Sequence, residues 1–339
     1  MTDSIQNTLT RILGGLPPES TAELCDFTIA QQNEVMESQG VTPNVKSDYI
    51  PILGESVTYI VASVIINELN EVLMVQEAKA SCAGKWYLPA GRMKPNESII
   101  DGAKREVEEE TGLTVDLTSL ITVETVQGTW IRFVFSGYVT GGVLKTPDKA
   151  DEESLQAKWV KSVDSLQLRA SDIINLVERA RFYKEAQKRS DPTWHPDLLP
   201  AVQSHKRILL RVVICARKRA TNRLNFVISE LESMHLPTCE IYPTRSVHVS
   251  LKKFMVNLFG AEVPQHRPHG LLNVEHNGIE GNFDGFCLTL LVAFRPPVED
   301  VPIVANKCIW QEINSKHLEE SLLRKISNKN ETIPLNVIR

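Results

Sequence analysis

Three glutamates stand where they could hold a divalent cation. Glu106, Glu109 and Glu110 occupy positions i, i+3 and i+4, so they share one face of the helix predicted for this segment. Carboxylates that crowd one helix face repel one another unless a cation lies among them. Oxygen ligands of this kind suit Mg²⁺ or Mn²⁺, ions that are used with phosphate substrates. The cluster therefore predicts metal-assisted chemistry on a phosphate compound.

The residues around the glutamates predict a loop followed by a helix. Pro95 and Asn96 are turn residues that fit poorly inside a helix. From about Ser98, apolar residues recur at a spacing of three or four and form one stripe: Ile99 or Ile100, Ala103 and Val107. Gly112 follows the last turn, where a left-handed cap is favoured. The sequence thus positions the carboxylates on a helix beside a buried stripe.

A longer pattern encloses the cluster. From Gly91 to Leu113 the chain matches G-x5-E-x7-R-E-U-x-E-E-x-G-U, where U is aliphatic, without departure. The alternative is an ordinary solvated acidic helix face, with Lys104 and Arg105 as ion-pair partners. The loop glycine and Glu97 stand at fixed distances before the helix, which favours a functional site.

This pattern is the Nudix signature, and residues 52 to about 185 resemble a Nudix hydrolase domain. More narrowly, three segments closely resemble the MutT-like 8-oxo-dGDP phosphatases of animals: EVLMVQEAKASCAGKWYLPAGRMKPNESI, TWIRFVFSG and GGVLKTPDKADEESLQAKW. The resemblance continues more weakly through HGLLNVEHNG and DGFCLTLLVAFRPP, and it fails only over roughly the first 40 residues. It implies an α/β class fold, an α/β/α sandwich around a mixed sheet.

The resemblance also implies roles for the residues of the box, by which we mean the signature residues from Gly91 to Leu113. The implied Mg²⁺ or Mn²⁺ contacts are Gly91 (through its carbonyl), Glu106, Glu109 and Glu110. Glu109 is implied as a ligand or as the general base. Arg105 would orient a catalytic carboxylate, and Glu97 would brace the loop onto the helix.

Residues outside the box are weaker candidates for substrate binding. By resemblance to MutT-like chains, Leu73, Glu77 and Tyr87 could line a base pocket, and Arg132 could reach phosphate. The acidic loop that precedes the strand of Trp159 could supply a further carboxylate, which leaves Asp151, Glu152 and Glu153 as candidates. Ordinary core packing is the alternative for Leu73, and a solvated loop is the alternative for Glu153.

The subfamily resemblance implies hydrolysis of 8-oxo-dGDP and 8-oxo-GDP to the monophosphate and phosphate. Such a reaction keeps oxidised guanine out of DNA and RNA. Two alternatives stay open: a Nudix hydrolase for another diphosphate such as ADP-ribose, and a Nudix-fold binding module that lost activity. The box binds the diphosphate that all these substrates share, so it cannot separate them. A binding module would be expected to lose box carboxylates, and this chain retains them.

Composition limits the class of binding partner and the cellular compartment that we expect. The net charge of −5 argues against a general nucleic-acid binder, so the expected partner is a small nucleotide substrate, and protein partners stay unknown. The six cysteines show no C-x2-C zinc pattern and no disulfide framework. No run of 18 apolar residues predicts a membrane span. These features predict a soluble, cytoplasmic protein.

The 339 residues predict more than one unit. We divide them into a leader (1–50), a Nudix domain (52–185), a proline-bearing linker (186–200) and a smaller α+β domain of unknown role (201–339). Within the Nudix domain, the runs VTYIVASVIIN and EVLMVQEA predict a β-hairpin whose turn spans Asn67 to Asn70. A second helix is predicted from Ser171 to Lys188.

Overall fold

The computed structural model describes residues 2–278 and 283–338. The helices in that part of the chain are α1 (Thr2–Leu13), α2 (Ile29–Ser38), α3 (Ile99–Thr111), α4 (Ile173–Lys188), α5 (Val247–Phe259) and α6 (Lys316–Ser327). The strands are β1 (Thr58–Ile65), β2 (Val72–Glu77), β3 (Trp86–Tyr87), β4 (Ala90–Arg92), β5 (Leu113–Thr125), β6 (Trp130–Gly142), β7 (Ser154–Val160), β8 (Ile208–Arg217), β9 (Leu224–Ser229), β10 (Thr238–Glu240), β11 (His266–His276), β12 (Phe286–Phe294), β13 (Cys308–Glu312) and β14 (Leu335–Val337). Among these helices, none is both long and apolar enough to cross a membrane.

A mixed sheet lies between two helices in the first half of the chain. Its order is β14-β5-β6-β1-β4, with β1 parallel to β6 and antiparallel to β4. Side chains alternate across a strand, so Phe133 and Val134 face opposite sides. Phe133 shares a cluster with the apolar stripe of α3, and Val134 shares another with α4. The predicted α/β sandwich around a mixed sheet is confirmed.

The predicted hairpin of β1 and β2 is wrong. The turn is present, with Asn70 in a left-handed conformation (φ 61°), but only Ile66 and Val72 bridge across it. Beyond that bridge the strands separate, and β2 forms a second sheet in the order β3-β2-β7.

The second half of the chain forms its own six-stranded sheet. The order is β11-β12-β8-β9-β13, and β10 also pairs with β8. The outer face of this sheet is covered by α1 and α6, because Leu9 and Leu322 are fully buried against it. The leader therefore contributes a packed helix to the C-terminal sheet.

The two halves share one hydrophobic core. The ring of Tyr59 lies 5.3 Å from that of Phe286, and Phe133 lies 6.0 Å from the same ring. The hydroxyl of Tyr59 donates to the Asp284 carbonyl at 2.6 Å. Strand β14 crosses in the other direction and pairs in parallel with β5. The domain boundaries given above stay a prediction, and elements near both ends of the chain pack onto the other half.

Candidate active site

Helix α3 carries the box residues and has well-formed ends. The Ser98 side chain accepts from the Asp101 amide at its start, and Gly112 caps its end in the left-handed conformation at φ 73°. Ile99, Ala103 and Val107 are buried on the inner face. The sequence predicted this helix and both of its ends. Its rigid inner face fixes where the glutamates on the neighbouring face point.

Arg105 gathers three of the carboxylates. Its Nε donates to Glu97 Oε2 at 2.8 Å and its Nη2 donates to Glu97 Oε1 at 2.7 Å. Its Nη1 donates to Glu106 at 2.7 Å and to Glu109 at 2.9 Å. The planar guanidinium suits this two-sided recognition. Arg105 and Glu97 thus hold the loop against the helix and fix two further carboxylates.

Glu106 and Glu110 form the buried part of the cluster. The Ala90 amide donates to Glu110 Oε2 at 2.9 Å, which ties the helix to β4. Gly91 lies so close to Glu106 that a Cβ built on it would overlap the carboxylate. Only glycine therefore lets the β4 backbone approach this carboxylate.

Burial, together with the nearby Glu106 and Glu77 carboxylates, raises the pKa of Glu110 to about 8, although the hydrogen bond from the Ala90 amide acts to lower it. Burial also raises the pKa of Glu106, helped by Glu109 and Glu153. Like charges held this close in a buried site favour either protonation or a bound cation. The arrangement thus provides oxygen ligands that a hard divalent ion would stabilise.

Glu109 is in a different electrostatic state. Burial acts to raise its pKa, but hydrogen bonds from Lys94 and Arg105 outweigh that effect and lower the pKa. The Lys94 ammonium lies 3.0 Å from Glu109 Oε1. Glu109 is half exposed, so it is ionised at neutral pH and open to water. One helix therefore carries two carboxylates with raised pKa values and one with a lowered pKa.

The acidic loop braces the end of α3. Lys145 Nζ donates to the Glu109 carbonyl at 2.7 Å and to Asp151 at 2.8 Å. Ser154 Oγ donates to the Glu110 carbonyl at 2.7 Å. Glu153 is exposed, lies 3.5 Å from Lys79 Nζ and is close enough to Glu106 to raise its pKa. The loop thus places Glu153 near the box, as a substrate-binding role requires.

Tyr87 and Arg132 come together in a buried polar cluster. Arg132 Nη1 donates to the Tyr87 hydroxyl at 2.7 Å and lies 2.7 Å from Asp172. Its Nη2 lies 2.5 Å from Glu124. The charge of Arg132 is therefore already balanced by two carboxylates. Leu73 lies apart from this cluster and is fully buried in the main core.

Asp172 and Glu77 complete the surroundings; Glu77 was a base-pocket candidate from the sequence, whereas Asp172 was not. Asp172 precedes α4 but makes no capping hydrogen bond, and instead its Oδ2 accepts from Tyr87 at 2.8 Å. Glu77 is buried and pairs with Arg169 at 2.7 Å. An aspartate at a helix start is usually a cap, so its position before α4 was the only signal that could have drawn attention to it.

Comparisons with known proteins agree with this geometry. The sequence model of the NUDIX domain matches residues 58–178. The 8-oxo-dGDP phosphatase NUDT18 of Mus musculus is 37% identical over 300 residues, covering 84% of this chain and 88% of that protein. NUDT18 of Homo sapiens is 35% identical over 296 residues, with coverage of 84% and 88%. Putative nudix hydrolase 1 of Caenorhabditis elegans is 42% identical over 139 residues, covering 39% of this chain and 38% of that protein.

The chain belongs to the Nudix hydrolase family. Enzymes of this family act on small nucleotide substrates with the help of divalent metal ions. The signature residues, the mixed sheet and the buried carboxylates on α3 all agree with that membership.

Proposed function

We propose that this Nudix hydrolase cleaves oxidised purine nucleoside diphosphates, 8-oxo-dGDP and 8-oxo-GDP, to the monophosphate and phosphate. The observation that carries the proposal is the likeness to two enzymes named 8-oxo-dGDP phosphatase over 84% of the chain. That likeness includes the segments around the box as well as the box itself. The reaction would clear oxidised guanine from the nucleotide pool.

Mg²⁺ or Mn²⁺ is the proposed cofactor. The buried carboxylates of Glu106 and Glu110 and the carbonyl of Gly91 would hold it, with Glu109 beside them. All of these donors are hard oxygens, and burial together with neighbouring carboxylates raises the pKa of both Glu106 and Glu110, which a bound cation would counter. When bound, the ion supplies charge neutralisation at the phosphate oxygens and lowers the pKa of an attacking water.

The side chains of the box supply the proton chemistry. Glu109 is the proposed general base, because its lowered pKa leaves it ionised and its half-exposed carboxylate can reach a water. Arg105 and Lys94 fix its two oxygens by hydrogen bonds. The water that loses its proton to Glu109 attacks phosphorus in line with the leaving phosphate oxygen.

We also propose a cytoplasmic location and a free nucleotide as the substrate. The six cysteines are unpaired thiols, which fits a reducing compartment. The net charge of −5 disfavours binding along a nucleic-acid backbone. A small nucleotide carries few phosphates and needs only the local positive charge of a bound ion.

The test is a side-by-side comparison of kcat/KM for 8-oxo-dGDP, dGDP, 8-oxo-dGTP and ADP-ribose, with Mg²⁺ or Mn²⁺ and with excess EDTA. We expect kcat/KM for 8-oxo-dGDP to exceed that for dGDP by roughly ten- to a hundredfold. A buried protein group that pairs with the oxidised base would be left unpaired by guanine, which costs about 1 to 3 kcal/mol. We expect 8-oxo-dGDP to exceed the triphosphate, and EDTA to abolish turnover until the metal is restored.

Three outcomes would contradict parts of the proposal. If ADP-ribose is the best substrate, or if 8-oxo-dGDP and dGDP are cleaved equally well, the oxidised-purine assignment fails while the family assignment stands. If turnover is undiminished in excess EDTA, the metal mechanism fails.

A further inference from the structure

A cavity of about 830 Å³ lies between the two halves of the chain. One wall comes from β5 and α4, through Glu124, Asp172 and Arg179. The other wall comes from the C-terminal half, through His269 on β11 and the segment 334–338. The volume falls within the range of about 300 to 1,000 Å³ that small-molecule pockets occupy.

Several lining residues have polar atoms that the protein leaves unsatisfied. Within the described residues, Asp172 Oδ1, Arg179 Nη2 and His269 Nε2 have no hydrogen-bond partner. Buried polar atoms are nearly always paired with protein or with ordered water, so a water or a bound molecule would complete these three. A carboxylate accepts hydrogen bonds only, and a guanidinium donates only, so a ligand here must present both kinds of group.

The cavity is connected to the box by a row of charged and aromatic side chains. Glu77 is close enough to Glu110 to raise its pKa, and Glu77 pairs with Arg169. The guanidinium of Arg169 lies 5.0 Å from the centre of the Tyr87 ring. The Tyr87 hydroxyl donates to Asp172, which lines the cavity. Contacts therefore join Glu77 to the cavity-lining Asp172 through Arg169 and Tyr87, and Glu77 lies near the box residue Glu110.

The lining suits a nucleoside. Leu176, Leu290 and Leu335 offer apolar surface for a flat ring, and the polar residues stand at the edges. An 8-oxopurine presents N–H groups along its edge, which a carboxylate can accept, and carbonyl oxygens, to which an arginine or histidine can donate. Burial, aided by Arg295 and Arg267, lowers the pKa of His269 to about 4, so its ring is neutral at pH 7 and suited to a neutral base.

We propose that this cavity holds the nucleoside end of the substrate, and that His269 of the C-terminal half is a specificity-determining residue. The inference rests on the proposed function for the identity of the base. It assigns the residues after the linker a role in recognition: they close the pocket from the side opposite Asp172.

The test compares the wild-type full chain with His269→Leu, which keeps the side-chain volume and removes the polar atoms. The substrates are 8-oxo-dGDP, dGDP and 2-deoxyribose 5-diphosphate, which has no base. We expect KM for the nucleotides to rise roughly tenfold, the equivalent of one lost hydrogen bond, while the base-free diphosphate is unaffected. His317→Leu, on the exposed face of α6, is the matched control.

A second variant keeps the test valid if His269→Leu fails to fold. Lys329 lies at the cavity on the C-terminal side and is exposed, so Lys329→Trp should fold normally and narrow the cavity. It too is expected to raise KM for nucleotides selectively. The inference is overturned if both variants fold and match wild type on every substrate, or if the base-free diphosphate loses as much as the nucleotides. Equal wild-type rates for 8-oxo-dGDP and dGDP would contradict only the proposed function. The role of the cavity would still be tested by comparing the effect of each variant on KM for dGDP with its effect on KM for the base-free diphosphate.

Discussion

Glu108 and Glu110 show how much burial separates neighbours on one helix. Glu108 is exposed and points away from the cluster, whereas Glu110 is 3% exposed and receives the Ala90 amide. Both are glutamates of the same acidic run, and composition alone does not distinguish them. The helical period does, because it turns Glu110 toward Glu106 and Glu108 toward solvent.

This contrast gives a matched pair of variants. Glu110→Gln should lower kcat by about 10²- to 10⁴-fold, because it removes a carboxylate that we propose as a metal ligand. The amide keeps the shape and can still accept from Ala90, so the melting temperature should hold. Glu108→Gln should leave both quantities near wild type. Steady-state kinetics and a thermal melt of each variant provide the comparison, and near-normal turnover of Glu110→Gln would refute its role.

The box could be predicted from the sequence because its residues are local. The signature fits within one loop and one helix, and Ser98 and Gly112 mark the helix ends by residue type alone. Asp172 could not be predicted in the same way. Its contact with Tyr87 joins residues 85 positions apart, and no periodicity carries that information.

At the scale of elements, the loop that carries Glu97 is held from two sides. Arg105 binds its carboxylate from the helix, and Gly278, two residues beyond the end of β11, packs against its backbone from the C-terminal half. A Cβ built on Gly278 would overlap the Glu97 carbonyl oxygen.

The separation of β1 from β2 is also decided at the scale of elements. The packing of whole sheets overrides the turn signal between these two neighbouring strands.

Gly278→Ala tests this contact. The added methyl group must displace either the loop or the end of β11, and overpacking of this kind typically costs about 1 to 3 kcal/mol. We expect a lower melting temperature and a higher Mn²⁺ concentration for half-maximal activity. Gly14→Ala is the control, because a Cβ there meets only ordinary contacts, the nearest at 3.4 Å. A metal titration that coincides with wild type would contradict the proposed bracing.

At the scale of the whole molecule, the Nudix sheet is completed by residues far along the chain. Pro334 and Ile338 flank β14 and anchor it, since Val123 donates to the Pro334 carbonyl at 2.9 Å and Ile338 donates to Thr125 at 2.8 Å. The run VTYIVASVIIN predicted β1 of this sheet from its own residues. The sequence could not predict β14, because three residues carry no periodic signal of their own.

Truncation after Ile333 should therefore weaken the Nudix half. Loss of buried Leu335 and of the strand hydrogen bonds is expected to lower the free energy of unfolding by about 2 to 4 kcal/mol. The bared edge of β5 should also promote association between molecules. Urea denaturation and light scattering measure the two effects. Asn336→Ala retains the backbone and serves as control, and a truncated protein as stable and monomeric as the full chain would contradict the expectation.

The position of β14 near the end of the chain also means that β5 is synthesised long before its edge partner. Thr122 and its hydrogen-bond acceptor Pro334 are 212 residues apart. At about 5 to 20 residues per second, the ribosome needs about 10 to 40 s to deliver the second after the first. Throughout that interval the edge of β5 that later pairs with β14 lacks its hydrogen-bonding partner. A chaperone that binds extended segments would find its target there, and only the emergence of residues 334–338 would displace it.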